Sequence, residues 1–161
     1  RFFFYTSKID TTQNYLGLEI REALVTEANQ LAKDANLHNL HYEFSNAMFN
    51  LDKILAKIPE GILQTVTIQF PDPWFKKKHA KRRMVNEFLV ETVVKHLAPN
   101  GKIFVQTDIE FLADEMFELF RQNESLREFE IKENPFPVKT ERETADKEKS
   151  LPVYRRIFEK V

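Results

Sequence analysis

Hydrophobic and polar positions follow two rhythms along this chain, one with the period of a strand and one with that of a helix. Asn14 to Ile20 reads as a strand that closes on the carboxylate of Glu19. From Arg21 to Ala35, Leu24, Ala28, Leu31 and Ala35 recur at helical spacing and predict a helix with that stripe inward. Leu40 to Phe44 alternates as a strand and runs into the polar turn Ser45-Asn46-Ala47. Leu51, Leu55 and Ile58 mark a short helix that Pro59 stops. Ile62 to Phe70, with its β-branched centre, predicts a buried strand. Arg82 to Leu97 predicts a helix with Val85, Phe88, Leu89, Thr92, Val93 and Leu97 inward, closed by Pro99-Asn100-Gly101. Lys102 to Thr107 is a strand, and Asp108 falls at or near the N-cap of a helix from Ile109 to Gln122. Leu126 to Glu133 alternates like a strand, Asn134 to Ser150 reads as a long polar loop with Pro135 and Pro137, and Pro152 to Glu159 is a last strand.

Strands alternating with helices, then antiparallel pieces, predict one α/β domain over residues 1–161, with a mostly parallel sheet covered on both faces. In that layout Glu19, Asn46, Asp72 and Asp108 lie at carboxyl ends of successive strands, where open α/β sheets place their ligands. Arg1-Phe2-Phe3-Phe4-Tyr5 reads as part of a helix, so the chain is expected to begin inside the fold. Gly17, Gly61 and Gly101 are its three glycines, and none forms a G-x-G turn. A nucleotide-binding domain of this order would carry that turn just before its first helix, upstream of Arg1.

Net charge is −1, but it is unevenly spread. Lys76, Lys77, Lys78, Lys81, Arg82 and Arg83 form a compact basic run on an otherwise acidic chain, which suits local steering of an anion. The absence of cysteine excludes a disulfide framework, a thiolate zinc site and a cysteine nucleophile, and fits a reducing compartment. No apolar run approaches the roughly 20 residues of a membrane span.

The basic run follows Phe70-Pro71-Asp72-Pro73-Trp74-Phe75. The two prolines restrict the backbone on either side of Asp72 and hold it in a rigid turn. A carboxylate beside an aromatic ring beside cations suits an unstacked nucleobase: the ring stacks, the carboxylate accepts N–H groups and the cations hold phosphates. Each residue also has a plainer reading. Glu19 can simply open a helix, Asn46 can form an Asx turn, and Asp108 can cap a helix. Asp72 is harder to explain so, because capping needs neither Trp74 nor the cations. Lys81, Arg82 and Arg83 at the start of the expected helix would oppose its dipole, which favours an external anion as their reason. His79 reads as a phosphate contact or plain surface.

Asp72-Pro73-Trp74 with Lys76 and the Lys78-His79-x-Lys81-Arg82-Arg83 tail resembles the bacterial-type tRNA (guanine-N7)-methyltransferases. The resemblance continues through Asn14 to Arg21, Asn46-Ala47, Thr107-Asp108 and Thr140-x-x-Glu143, in order along the whole chain. It implies the Rossmann-like class I S-adenosylmethionine-dependent methyltransferase fold, with an antiparallel C-terminal end and with the first strand and its glycine-rich loop missing from this chain. It further implies S-adenosylmethionine as cofactor, no metal, and a guanine of the tRNA variable loop as substrate. Position by position, Glu19 resembles the residue that holds the cofactor ribose, Asn46 and Ala47 the adenine-side contacts, and Asp72 the residue at the reacting centre. Lys76, Asp108, Thr140 and Glu143 resemble substrate contacts, with Lys77, Lys78, Lys81, Arg82 and Arg83 left for RNA phosphates. The expected partner is tRNA, with no membrane, in the cytoplasm, as a monomer or homodimer. Two other classes stay open: an RNA-binding remnant without catalysis, and a methyltransferase acting on an exocyclic amino group.

Overall fold

A computed structural model describes all residues 1–161. Helix α1 (Phe2–Ile9) leads into strand β1 (Tyr15–Glu19), helix α2 (Glu22–Asp34) and strand β2 (Leu40–Phe44). Helix α3 (Ala47–Leu55), strand β3 (Thr65–Gln69), a 3₁₀ turn (Lys77–Arg82) and helix α4 (Glu87–His96) follow. Strand β4 (Lys102–Thr107), helix α5 (Glu110–Arg121), strand β5 (Leu126–Glu130), helix α6 (Glu141–Glu148) and strand β6 (Tyr154–Lys160) complete the chain.

The strands form two sheets. β1 and β2 pair in parallel, and β3, β4, β6 and β5 form the larger sheet in that order. β3–β4 is parallel, whereas β4–β6 and β5–β6 are antiparallel. Two of the four strand pairings are thus parallel and two antiparallel, and the antiparallel part lies at the C-terminal end, as expected. Between the two sheets β1 and β3 each keep one unpaired edge. Their burial reflects this: every residue of β4 after Lys102 is buried, but only Gly17 in β1 and Ile68 in β3 are.

The main core joins β3, β4 and β6 to α3, α4 and α5. Phe120 and Phe158 stack at 5.0 Å in its centre and are wholly buried, each stabilising the fold by roughly 1.5–3 kcal/mol. Lys160 donates to the carbonyls of Val94 and Leu97 at 2.7 and 2.8 Å, satisfying the last turn of α4 from the neighbouring strand. Gly101 has no room for a side chain, since a Cβ there would meet Leu97 and the Ala98 carbonyl within 3 Å.

Three local expectations change. The stripe Leu24, Ala28, Leu31, Ala35 does not face inward; α2 buries Val25 and Ala32, while Leu24 and Leu31 are exposed. The cause is Asn29, whose amide exchanges two 2.8 Å hydrogen bonds with the backbone of Tyr42 on the edge of β2. Val25, Asn29 and Ala32 share one helix face, so that anchor rotates the leucines outward. Second, α4 starts at Glu87, with Asn86 Oδ1 accepting from Leu89 N at 2.9 Å. Phe88 is thus exposed, and Lys81, Arg82 and Arg83 never meet the helix dipole. Third, the expected loop from Asn134 to Ser150 contains α6. Its buried residues are Glu143 and Asp146, so no apolar stripe announced it.

Candidate functional site

All four strand-end polar residues lie at the carboxyl ends of parallel strands, as expected. They fall into two groups, one on each sheet. On the smaller sheet, Glu19 closes β1 and Asn46 caps α3 just beyond β2. Glu19 is gripped by Arg21, whose Nε and Nη2 donate to its two oxygens at 3.0 Å. These hydrogen bonds hold its carboxyl below the ordinary glutamate range, so it stays ionised. Asn46 Oδ1 accepts from Met48 N at 2.9 Å, the plain capping role, and its Nδ2 makes no hydrogen bond within the protein. Ala47 is the first residue of α3. Between them Ser45 is buried, its backbone N–H bonded to Glu19 O at 3.0 Å, and its hydroxyl has no partner. A buried unpaired hydroxyl of this kind costs about 1–3 kcal/mol.

On the larger sheet, Asp72 and Asp108 line one hollow of about 530 Å³ with Phe70, Pro71, Pro73, Phe75, Ile109 and Arg142. Asp72 Oδ1 accepts from Trp74 N at 2.9 Å and forms a tight turn; Oδ2 is free. Phe70 and Trp74, on either side, have φ of 50° and 44°. Bulky residues rarely adopt such values, and strain of this sort concentrates at functional turns.

Arg83 holds that turn. Its Nε donates to Pro73 O at 2.9 Å, its Nη2 to Trp74 O at 3.2 Å, and its Nη1 to Glu115 on α5 at 2.6 Å. Its side chain is only 13% exposed. Arg83, expected among the phosphate contacts, thus has donors turned into the protein. Lys76, Lys77, Lys78, Lys81 and Arg82 remain exposed around the 3₁₀ turn. Arg82 lies 5.1 Å over the Trp74 ring, and His79 meets that ring edge-on at 5.7 Å.

Asp108 does not cap α5, which starts one residue later with Ile109 at its N-cap. Its carboxylate instead accepts from Arg142 on α6, and its side chain is 8% exposed. Asp146 is buried beside it, with Oδ2 3.3 Å from Arg142 Nε but without hydrogen-bond alignment. One guanidinium thus serves two carboxylates. Thr140 caps α6 by accepting from Glu143 N at 3.1 Å.

Glu143, expected to touch substrate, points into the protein. Arg155 Nη2 meets it at 2.8 Å, Asn134 Nδ2 at 2.7 Å and Gln106 Nε2 at 3.2 Å. Gln106 also donates to Gln69 Oε1 at 2.8 Å and accepts from Arg155 Nε at 3.2 Å. This buried network ties α6 to the end of β3, immediately before the Asp72 turn. Arg155 and Arg142 were missed in the sequence because each finds its partner only in the folded chain.

A second hollow, about 490 Å³, is lined by residues of α2 and by Leu40 and His41 at the amino end of β2, away from these carboxylates. No cluster of three His, Asp or Glu side chains could hold a metal ion. No helix is long and apolar enough to cross a membrane.

The family model described as "Putative methyltransferase" matches residues 1–156. Among solved structures, the aminoglycoside resistance methyltransferase NpmB1 superposes with a TM-score of 0.68 at 15% identity, over 100% of this chain and 82% of that one. Precorrin-6y C5,15-methyltransferase from Geobacter metallireducens gives a TM-score of 0.59 at 13% identity, over 98% and 72%. Both likenesses show the methyltransferase fold. The tRNA (guanine-N(7)-)-methyltransferase of Trichormus variabilis is 47% identical over 100% of this chain and 77% of its own length. That of Nostoc sp. is 48% identical over 99% and 75%. With a family model over nearly its whole length and relatives at this identity, the chain belongs to the tRNA (guanine-N(7)-)-methyltransferase family.

Proposed function

We propose that this protein transfers a methyl group from S-adenosylmethionine to N7 of a guanine in the variable loop of tRNA. The observation that carries the reading is the hollow at the ends of β3 and β4, lined by Asp72 with one carboxylate oxygen free of protein partners, on the turn that runs directly into the exposed cations Lys76, Lys77, Lys78, Lys81 and Arg82. The cofactor, when bound, supplies an electrophilic methyl group on sulfur. Guanine N7 has an in-plane lone pair and no proton, so no general base is required, and the base becomes a cation as the methyl arrives. The residues therefore have two tasks, alignment and negative charge. Asp72 Oδ2 accepts N–H groups of the guanine edge and stabilises the developing cation. Asp108, held by Arg142, keeps its carboxylate largely neutralised and contributes shape and a second acceptor. Lys76 and Thr140 contact the nucleotide, and Lys77, Lys78, Lys81 and Arg82 hold phosphates.

The donor set at the smaller sheet fits the nucleoside end of the cofactor. Glu19 is an ionised acceptor for two ribose hydroxyls, Ser45 has an orphaned hydroxyl, and Asn46 Nδ2 and the adjoining Ala47 suit a purine edge. The reading is that this protein meets its tRNA in the cytoplasm, which the bacterial origin of its relatives supports.

The test is methyl transfer from labelled S-adenosylmethionine to an unmodified tRNA transcript, with the product nucleoside identified. Label in 7-methylguanosine supports the reading. Label on an exocyclic amino group, or tRNA binding without label, moves the assignment to one of the other two classes. Asp72→Asn should lower turnover far more than tRNA affinity, by roughly 10²–10³ if it acts like other charge-stabilising groups at a reacting centre. Equal loss of both would remove Asp72 from the reacting centre.

A further inference from the structure

Phenylalanine normally leaves water on folding, and two phenylalanines beside the Asp72 turn do not. Phe75 is 66% exposed and Phe111 is 41% exposed. Their rings meet edge to face at 5.8 Å, so they form one continuous patch rather than scattered apolar side chains. The patch is held in place. Arg83 lies 5.2 Å over the Phe111 ring, and the same guanidinium is fixed by Pro73, Trp74 and Glu115. Phe75 lines the hollow that contains Asp72 and Asp108. Trp74, the ring that the sequence offers for stacking, is half-buried and already engaged by Arg82 and His79. Phe75 and Phe111 are therefore the open aromatic surface of this site.

Three features select what covers it. A flat exposed ring favours a partner with a π-face. A carboxylate with a free oxygen in the same hollow favours N–H donors. The neighbouring cations favour an anion. An apolar peptide would leave Asp72 covered without a donor, and an acidic protein face would set carboxylate against carboxylate. A purine nucleotide displaced from its stack satisfies all three. The geometry points to Phe75, buttressed by Phe111, as the stacking wall against which the substrate guanine lies, with Trp74 packing the turn instead. This inference rests on the methyl-transfer reading above and deepens it.

The experiment compares wild type, Phe75→Leu, Phe75→Tyr and Phe111→Leu in steady-state methylation of the tRNA transcript. Phe75→Leu should lower kcat/KM for tRNA roughly ten- to hundredfold, the range typical of one lost base–aromatic stack. Phe75→Tyr, which keeps the ring, should stay within about threefold of wild type, with Phe111→Leu intermediate. The KM for cofactor and the melting temperature should not move. A Phe75→Leu enzyme within about twofold of an active wild type overturns the stacking wall and leaves methyl transfer standing. Parallel loss of cofactor affinity or thermal stability also overturns it, because it marks a packing role. A wild type that makes no 7-methylguanosine defeats the methyl-transfer reading instead. Affinity for the same transcript then decides the wall, and equal binding by Phe75→Leu and wild type overturns it.

Discussion

Arg83 meets Glu115 at 2.6 Å and, with its other nitrogens, holds the carbonyls of Pro73 and Trp74. The basic run and the Asp72 turn are thus one assembly, fastened to α5 by a guanidinium that looked from the sequence like one more cation. A planar fork with several donors does this, and a lysine cannot. Arg83→Lys should keep the charge, lose the fork and let the strained turn relax. Turnover is expected to fall by up to about a hundredfold, as for other small misplacements of reacting groups. The salt dependence of tRNA binding should not change. A lowered salt slope with normal kcat would return Arg83 to the phosphate contacts.

The exposed cations predict the opposite behaviour. If Lys76, Lys77, Lys78, Lys81 and Arg82 each neutralise a phosphate, log affinity for tRNA should fall with log salt at a slope of about −3.5 to −4.5. Replacing Lys77 or Lys81 by alanine should reduce the slope by about 1 and leave kcat alone. Binding titrations across a range of salt concentrations measure this directly. A wild-type slope near −1 would rule out this surface as the main RNA footprint.

Legibility followed the range of the forces involved. The strand ends at Glu19, Asn46, Asp72 and Asp108 were readable because alternation, β-branching and turn residues act over a few positions. The long-range partners were not. Asn29 turns α2 by bonding to Tyr42 thirteen residues on, which reverses its apparent apolar face. α6 carries no helical signature in the sequence because its inward residues, Glu143 and Asp146, are charged. Thr140-x-x-Glu143 has the spacing of a helix start, yet Glu143 serves Arg155 rather than the cap. The 3₁₀ turn at Lys77–Arg82 relieves a dipole conflict that a longer helix would have created.

Glu143 separates a structural role from a substrate contact. Its side chain is 5% exposed, that of Arg155 is 12% exposed, and they lie 2.8 Å apart. Removing one member of a buried pair leaves the other charge uncompensated, at a cost of about 3–5 kcal/mol. Glu143→Ala should therefore lower the urea midpoint by that equivalent, and the double replacement with Arg155→Met should recover much of the loss. An unchanged midpoint with a raised KM for tRNA would put Glu143 at the substrate instead.

Glu128, on the edge strand β5, adds one acid-sensitive contribution to stability. Arg121 donates to both its oxygens at 2.8 and 2.9 Å, and Arg156 adds a third bond at 3.1 Å. Those contacts, Arg121 first, hold its folded pKa below the ordinary value of 4.5. A carboxyl depressed on folding adds stability above its unfolded pKa and loses it as pH falls through the folded one. The pair is partly exposed, so its contribution is set at about 1 kcal/mol. Wild type should exceed Glu128→Gln in stability by that amount at neutral pH. The difference should shrink once pH drops below about 4.5 and vanish below the folded pKa. Denaturant unfolding of both proteins over that pH range checks the sign. A difference that stays constant with pH would mean that Glu128 acts through packing rather than through its charge.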